Sequence, residues 1–363
     1  MAASFFSEIK PESSAEADHI GMLDLRKKNT KVLIISDVHM GSGKRDDLAE
    51  NGALLISMLE NYYYPLGYIL VLNGDIEDLQ RYSLQKIMRQ WQDLYRIFDL
   101  FASEGRLYKT LGNHDEDLIY DKNYPYKLYQ ALGIKTSEIP VFVYHGHQSS
   151  FVYTNYKGIL RTLVRYILKP FGIRNISAAR NPRRRFYVEK KAYAFSMENT
   201  CISIIGHTHR SLFESLGHFD FIKFEIERLL REYPASEGRK KKAIALEVSA
   251  LRTELGKLKR SERRQWRQSL YGDELPVPCL FNSGSAIGRE GISALELNDE
   301  DIALVYWFTE GKSRKFTGRR RYLSTHELSE KLRGTPYRRA VLNQNRLDYI
   351  KARIELLGSD CKS

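Results

Sequence analysis

Five short clusters of Asp, Asn and His punctuate the chain: Asp37-Val38-His39; Gly74-Asp75, with Asp78 following; Gly112-Asn113-His114-Asp115; His145-Gly146-His147; and Gly206-His207-Thr208-His209. Oxygen and imidazole donors of this kind suit hard-to-borderline divalent cations. Two carboxylates and several imidazoles could neutralise two of them. Alternate residues of an extended segment point the same way, so Asp37 with His39, or His207 with His209, can serve one cation or be split between two neighbours. The glycines before Asp75, Asn113 and His207 free the backbone to aim those side chains. Other chemistries fail on residue type. There is no Gly-x-Ser-x-Gly elbow for a serine nucleophile. Gly41-Ser42-Gly43-Lys44 is followed by Arg45 where a phosphate loop needs Ser or Thr. Cys201, Cys279 and Cys361 form no Cys-x-x-Cys pair, which excludes a zinc knuckle and a disulfide scaffold and points to a reducing compartment.

The clusters need elements to carry them. Lys31–Asp37 and Tyr68–Asp75 are apolar on both faces, as buried strands are, and Arg106–Gly112, Val141–His145 and Ile202–Gly206 repeat the pattern. Leu48–Tyr62 and Ile87–Phe101 have apolar residues at helical spacing. Strands alternating with helices predict an α/β fold. Ligands of open α/β sheets bind outside the carboxyl ends of the strands, so the clusters are expected to converge on one edge. Cys279–Ser283, Ile292–Leu297 and Ile302–Phe308 follow one another through tight turns, with a hairpin at Asn298-Asp299. They predict a second, largely antiparallel sheet.

Two insertions interrupt this plan. In 155–198, Ile159, Leu160, Leu163, Val164, Ile167 and Leu168 share one helical face and Arg161, Arg165 and Lys169 another, a basic amphipathic helix ended by Pro170 and Gly172. In 221–271, Ile222, Ile226, Leu229 and Tyr233, then Ile244, Val248, Leu251, Leu255 and Leu258, predict an antiparallel helical hairpin. Residues 1–30 read as an N-terminal extension, 31–308 as the catalytic domain and 309–363 as a basic helical tail. The chain has 363 residues and a net charge of +12. The bases concentrate in the insertions and the tail, leaving the core acidic. Acids in a core suit metal ligation, and bases on appendages suit anionic partners. No stretch approaches the roughly 18 apolar residues of a membrane span, and residues 1–28 lack the apolar core of a signal peptide. A cytoplasmic protein is expected, possible contact with the inner face of a membrane included.

The order DVH, GD, GNHD, HGH, GHTH resembles the DxH, GD, GNH, H, GHxH order of the calcineurin-like metallophosphoesterases. The resemblance spans 31–215 and resumes at 279–308, where Asn282-Ser283-Gly284-Ser285 is similar to the family's sheet-closing segment. It implies a four-layer α/β/β/α sandwich with helical insertions. It also implies two divalent ions, expected as Mn²⁺ with Fe or Zn as alternatives: one held by Asp37, His39, Asp75 and His209, the other by Asp75, Asn113, His145 and His207, with Asp75 bridging. Two such ions about 3.5–4 Å apart acidify a bridging water, whose hydroxide attacks phosphorus in line. His114 stays off the metals, near the substrate, and protonates the leaving oxygen or stabilises its charge. Asp115 orients His114 or supports its loop.

Within the family, the position of 155–198 resembles the lid of the UDP-2,3-diacylglucosamine diphosphatases. An amphipathic lid can receive acyl chains on its apolar face and a diphosphate or anionic headgroups on its bases. Arg161, Arg165, Arg180, Arg183, Arg184 and Arg185 are the candidate substrate contacts. His114 stands where those enzymes have arginine, and the 221–271 hairpin has no counterpart in them. The alternative is a nucleic-acid phosphodiesterase, using Lys312 to Arg321 with Arg338 and Arg339, or the bases at 239–242 and 257–267, to follow a phosphate backbone.

Overall fold

The structure, a computed structural model, describes residues 20–43, 46–147, 182–209, 226–227, 229–231, 233–257, 279–287, 291–311 and 329–357. The sequence Val32-Leu33-Ile34-Ile35 shows how its layers arise. These residues form strand β2 (Val32–Ile35) and are all buried. Side chains alternate across a strand. Leu33 and Ile35 therefore join one apolar cluster, with Leu54, Met58 and Phe98 of the flanking helices. Val32 and Ile34 join another, with Val141, Val143, Ile202, Ile204 and Phe281 of a facing sheet.

The chain continues through β1 (Ile20–Asp24), which precedes β2, then α1 (Gly52–Met58, running into a π turn at Leu59–Tyr63), β3 (Ile69–Asn73), α2 (Leu84–Gln90), α3 (Gln92–Ser103) and β4 (Leu107–Thr110). Next come β5 (Leu128–Tyr129), β6 (Ala131–Lys135), β7 (Val141–Val143), α4 (Pro182–Asn199), β8 (Ile202–Ile205) and α5 (Gly238–Lys257). The last described elements are β9 (Leu280–Asn282), β10 (Ile292–Leu297), β11 (Asp301–Thr309), β12 (Ser329–Lys331), β13 (Tyr337–Arg346) and α6 (Leu347–Leu357). Among the described residues one sheet has the order β12-β13-β11-β10-β2-β3-β4-β5 and the other β1-β6-β7-β8-β9. Helices α1 to α3 cover the first sheet. On the outer face of the second, α4 sets Val188, Ala192 and Phe195 against Ile205, Leu280 and Phe142. The result is the α/β sandwich, two mixed sheets between helical layers.

Several expectations need correction. The late strands do not make a sheet of their own. β10 pairs antiparallel with β2 and so extends the first sheet, whereas β9 runs parallel to β8 in the second. The β10–β11 hairpin does turn at Asn298, whose side-chain oxygen accepts the backbone N–H groups of Glu300 and Asp301. The 1–30 segment contributes β1, which pairs parallel with β6. The tail from 309 is not only helical. β13 pairs with β11 along Tyr337–Arg346, and only then does α6 bury Leu347, Ile350 and Ile354 in the core between the sheets. Polar residues hide β13 in the sequence, because their charges are met inside the fold. Arg339 makes a two-point bond to Glu296, at 2.9 and 2.6 Å, and Arg338 reaches Glu310 and Ser329. The helix expected over 87–101 breaks at Trp91, whose indole N–H donates to Asp46.

In the second insertion, Ile226 and Leu229 share a small apolar cluster with Ile244, Val248, Leu251 and Leu255 of α5. The amphipathic stretch 159–168 and the basic run 312–321 lie outside the described residues. No described helix is long and apolar enough to cross a membrane.

Candidate metal centre

Each cluster follows a strand, and the strands come from both sheets: β2, β3 and β4 from one, β7 and β8 from the other. The expectation of a single sheet edge is thus replaced by a junction between the two sheets. The loops are forced into their turns. Asp37, His39, Asp75, His207 and His209 all have left-handed backbones, with φ of 53°, 48°, 53°, 62° and 54°. Such residues are uncommon outside glycine, and each costs about 1–3 kcal/mol unless its surroundings hold it. The neighbouring glycines act partly by conformation and partly by absence of bulk. Gly74 has φ +74°, and a Cβ on it would meet the His145 ring at 2.6 Å. A Cβ on Gly112 would strike Asp75 Oδ1, and one on Gly206 would meet Asp37 Oδ2 at 2.6 Å.

Among the described residues six of the predicted metal donors meet here in two groups that share Asp75. Asp37, His39, Asp75 and His209 form one; Asp75, His145 and His207 form the other, and each group places its donor atoms within 4.8 Å of one another. In the first, His39 Nε2 and His209 Nε2 face each other at 3.2 Å, and His209 Nε2 lies 3.1 Å from Asp37 Oδ1. In the second, His145 Nε2 is 3.1 Å from Asp75 Oδ2 but lacks the angles of a hydrogen bond, and it is buried without one. The oxygen Oδ1 of Asn113 is also buried and unbonded. Buried polar atoms are normally satisfied. An amide oxygen and an imidazole nitrogen left unbonded are donor types that a divalent cation accepts.

Supporting bonds orient these donors. His145 Nδ1 donates to the Asn73 carbonyl at 2.9 Å, which aims Nε2 at Asp75. Asp37 accepts from Ser36 Oγ at 2.5 Å and from the His207 backbone N–H at 3.0 and 3.1 Å. Ser36 in turn meets Ser283 Oγ at 2.7 Å, which ties the site to the end of β9. Asp75 Oδ1 accepts the His114 N–H at 2.7 Å.

Protonation follows from the same contacts. Burial would raise the carboxyls of Asp37 and Asp75, but the adjacent imidazoles, His209 and His145 respectively, hold both below the ordinary range. Burial pushes His39 down and His207 to about 4, so both are neutral donors. His145 goes the other way: burial opposes its charge, yet Asp75 and Asp37 lift it to about 10. A proton there offsets carboxylate charge that a divalent cation could offset instead. The donor set fits a dinuclear metal centre.

His114 stands off the donors with its ring edge-on to His39, centroids 4.6 Å apart. Its partner is Asp78, with Nδ1 donating to Oδ1 at 3.0 Å, and not Asp115. Asp115 is fully buried, accepts Gly112 N–H at 2.6 Å and Ile76 N–H at 2.9 Å, and meets Lys109 Nζ at 2.9 Å. Of its two expected roles only support of the loop survives, and a catalytic assignment does not. The spacing Gly74-Asp75-x-x-Asp78 was the available signal for the true partner. Lys109 and Glu77 carried none, since a lysine within an apolar strand reads as an exposed edge. Among the candidate substrate residues, Arg161, Arg165 and Arg180 lie outside the described residues. Arg183, Arg184 and Arg185 fall in the opening turns of α4, and their side chains also lie outside.

No curated protein matches the chain. Solved structures similar to it include a Vps29 mutant from Entamoeba histolytica (13% identity over 78% of this chain and 95% of that one, TM-score 0.31). Others are YfcE, a phosphoesterase from E. coli (12%, 76% and 91%, 0.31), and Vps29 from Cryptosporidium parvum (11%, 78% and 93%, 0.33). These low scores add no weight. The profile described as calcineurin-like phosphoesterase matches residues 30–211, half of the chain, and takes in all five clusters. By that match the chain belongs to the calcineurin-like phosphoesterase family.

Proposed function

We propose that the protein is a dinuclear metal-dependent phosphoesterase that hydrolyses a phosphodiester or diphosphate bond in an amphiphilic, membrane-associated or nucleotide-linked lipid metabolite. The observation that carries the metal reading is Asp75, shared between two donor groups; Asn113 Oδ1, in the loop after β4, is buried and unbonded. Asp37, His39, Asp75 and His209 would hold one ion, and Asp75, Asn113, His145 and His207 the other. When bound, the ions would supply Lewis-acid polarisation of a phosphoryl group and a water of lowered pKa. Mn²⁺ suits mixed oxygen and imidazole donors.

His114 supplies the proton. Burial works against its charge, but the bond to Asp78 and the field of Asp75 leave its pKa raised, so more of it is imidazolium near neutrality. It borders the two groups that share Asp75, and with Asp78 it forms a third group around His39, which puts its proton next to the metal donors. The lipid preference is supported by the apolar and basic faces of 159–169, and a cytoplasmic site at an anionic membrane fits the same charge pattern.

The test is a panel of phosphomonoesters, phosphodiesters, oligonucleotides and nucleoside-diphosphate lipids, assayed with Mn²⁺. The lipid diphosphates should turn over fastest. His114→Ala should keep its metals and lose about 10²–10⁴-fold in kcat. Oligonucleotides as the best substrates would overturn the lipid assignment, and full activity in His114→Ala would overturn its role.

A further inference from the structure

We propose that Glu189 is a positioning residue for the loop that carries His207 and His209, acting through the hydroxyl of Thr208; the inference rests on the dinuclear reading above. Glu189 lies on α4 beside Val188, on the face packed against β8 and β9, and is 2% exposed. A carboxylate so deeply buried is costly unless it accepts hydrogen bonds. Its Oε1 accepts from Thr208 Oγ1 at 3.0 Å.

Thr208 sits between the two histidines and is itself fully buried. The direction of each bond is fixed by chemistry. The amide of Asn282 donates to Thr208 Oγ1 at 3.0 Å and to the Gly206 carbonyl at 2.8 Å. The hydroxyl then has its one proton left for Glu189. Asn282 Oδ1 is fixed by the Gly284 N–H at 2.8 Å. A directed chain therefore runs from β9, through the middle of the ligand loop, to α4.

The loop needs such an anchor because both histidines are left-handed, a conformation that persists only where the surroundings over-determine it. His207 is held through its N–H on Asp37. Thr208 gives the next residue its fixed point. Glu189 belongs to the segment 155–198, so the last helix of that insertion helps to set the metal donors.

Mn²⁺ titration of the full chain, followed by calorimetry and by the EPR signal of the bound ions, tests this. Glu189→Leu and Thr208→Val remove the bond; Glu189→Gln and Thr208→Ser keep an acceptor and a hydroxyl. The first two should lose about 10–100-fold in Mn²⁺ affinity, the range typical of partners that orient metal ligands. The conservative pair should stay near wild type. The double variant Glu189→Leu/Thr208→Val should be no weaker than the weaker single variant, as members of one coupled pair are not additive. Wild-type affinity in folded Glu189→Leu and Thr208→Val, no rescue by Gln or Ser, or additive losses would each overturn the proposal. If Glu189→Leu does not fold, the comparison of Thr208→Val with Thr208→Ser decides. Asp75→Asn separates the two readings. Its loss of Mn²⁺ beside an unaffected Thr208→Val removes only the positioning role, whereas undiminished binding in Asp75→Asn removes the dinuclear reading itself.

Discussion

His114 and its two acidic neighbours show how residue-level chemistry is divided at this site. Asp78 bonds the imidazole, and Asp115 is turned away to hold backbone N–H groups and Lys109. The raised pKa of His114 therefore depends on Asp78. Asp78→Asn removes a negative charge in contact with the ring, so the imidazolium should titrate about one unit or more lower. If His114 protonates the leaving oxygen, the high-pH fall of kcat should move to lower pH by the same amount. A pH–rate profile identical to wild type would contradict the pairing. The donor residues were legible in the sequence because Asp, Asn and His after apolar runs have few other reasons to recur five times. Their supports were legible only in the spacing of Asp78 from Asp75. Nothing in residue type distinguishes Asp78 from Asp115, and the choice is made by the buried ammonium of Lys109, which attracts one carboxylate and leaves the other for His114.

At the scale of elements, Lys109 of β4 ties the loops after β3 and β4 together. Its Nζ meets Glu77 Oε2 at 2.5 Å and Asp115 Oδ2 at 2.9 Å, all three side chains fully buried. Tyr95 and Tyr124 donate to the other Glu77 oxygen at 2.8 and 2.7 Å. Burial alone would lower the lysine pKa, but Asp115 and Glu77 outweigh it and raise it. A lysine raised in the folded state contributes fully below its unfolded pKa of about 10.4 and loses that contribution only as pH climbs through the folded value. Its effect is thus constant over the neutral range. Lys109→Met leaves two carboxylates without their cation and should destabilise the fold by about 3–5 kcal/mol at pH 7, measured by urea unfolding. A loss below about 1 kcal/mol would mean that the pair is a solvated surface bridge. The strands β2, β3 and β8 were legible because burial on both faces demands continuous apolar sequence. β13 was not, because Arg338 and Arg339 look solvent-facing until Glu310 and Glu296 are placed opposite them.

For the whole molecule, the two-sheet sandwich explains why the donors are so dispersed in sequence. Parallel strands end their chains on the same side, and stacking two sheets brings the loops after β2, β3 and β4 against those after β7 and β8. The layers could be anticipated from strand–helix alternation and from the resemblance of the motif order. The partition of late strands between the sheets could not, because an apolar segment of three to six residues fits either one. The account stands or falls on a shared Asp75. Metal analysis and Mn²⁺ titration of the purified chain should give two ions per molecule with the spin-coupled EPR signal of a bridged pair, and Asp75→Asn should lose both the ions and the coupling. One ion or none in the wild type, or two retained in Asp75→Asn, would contradict it.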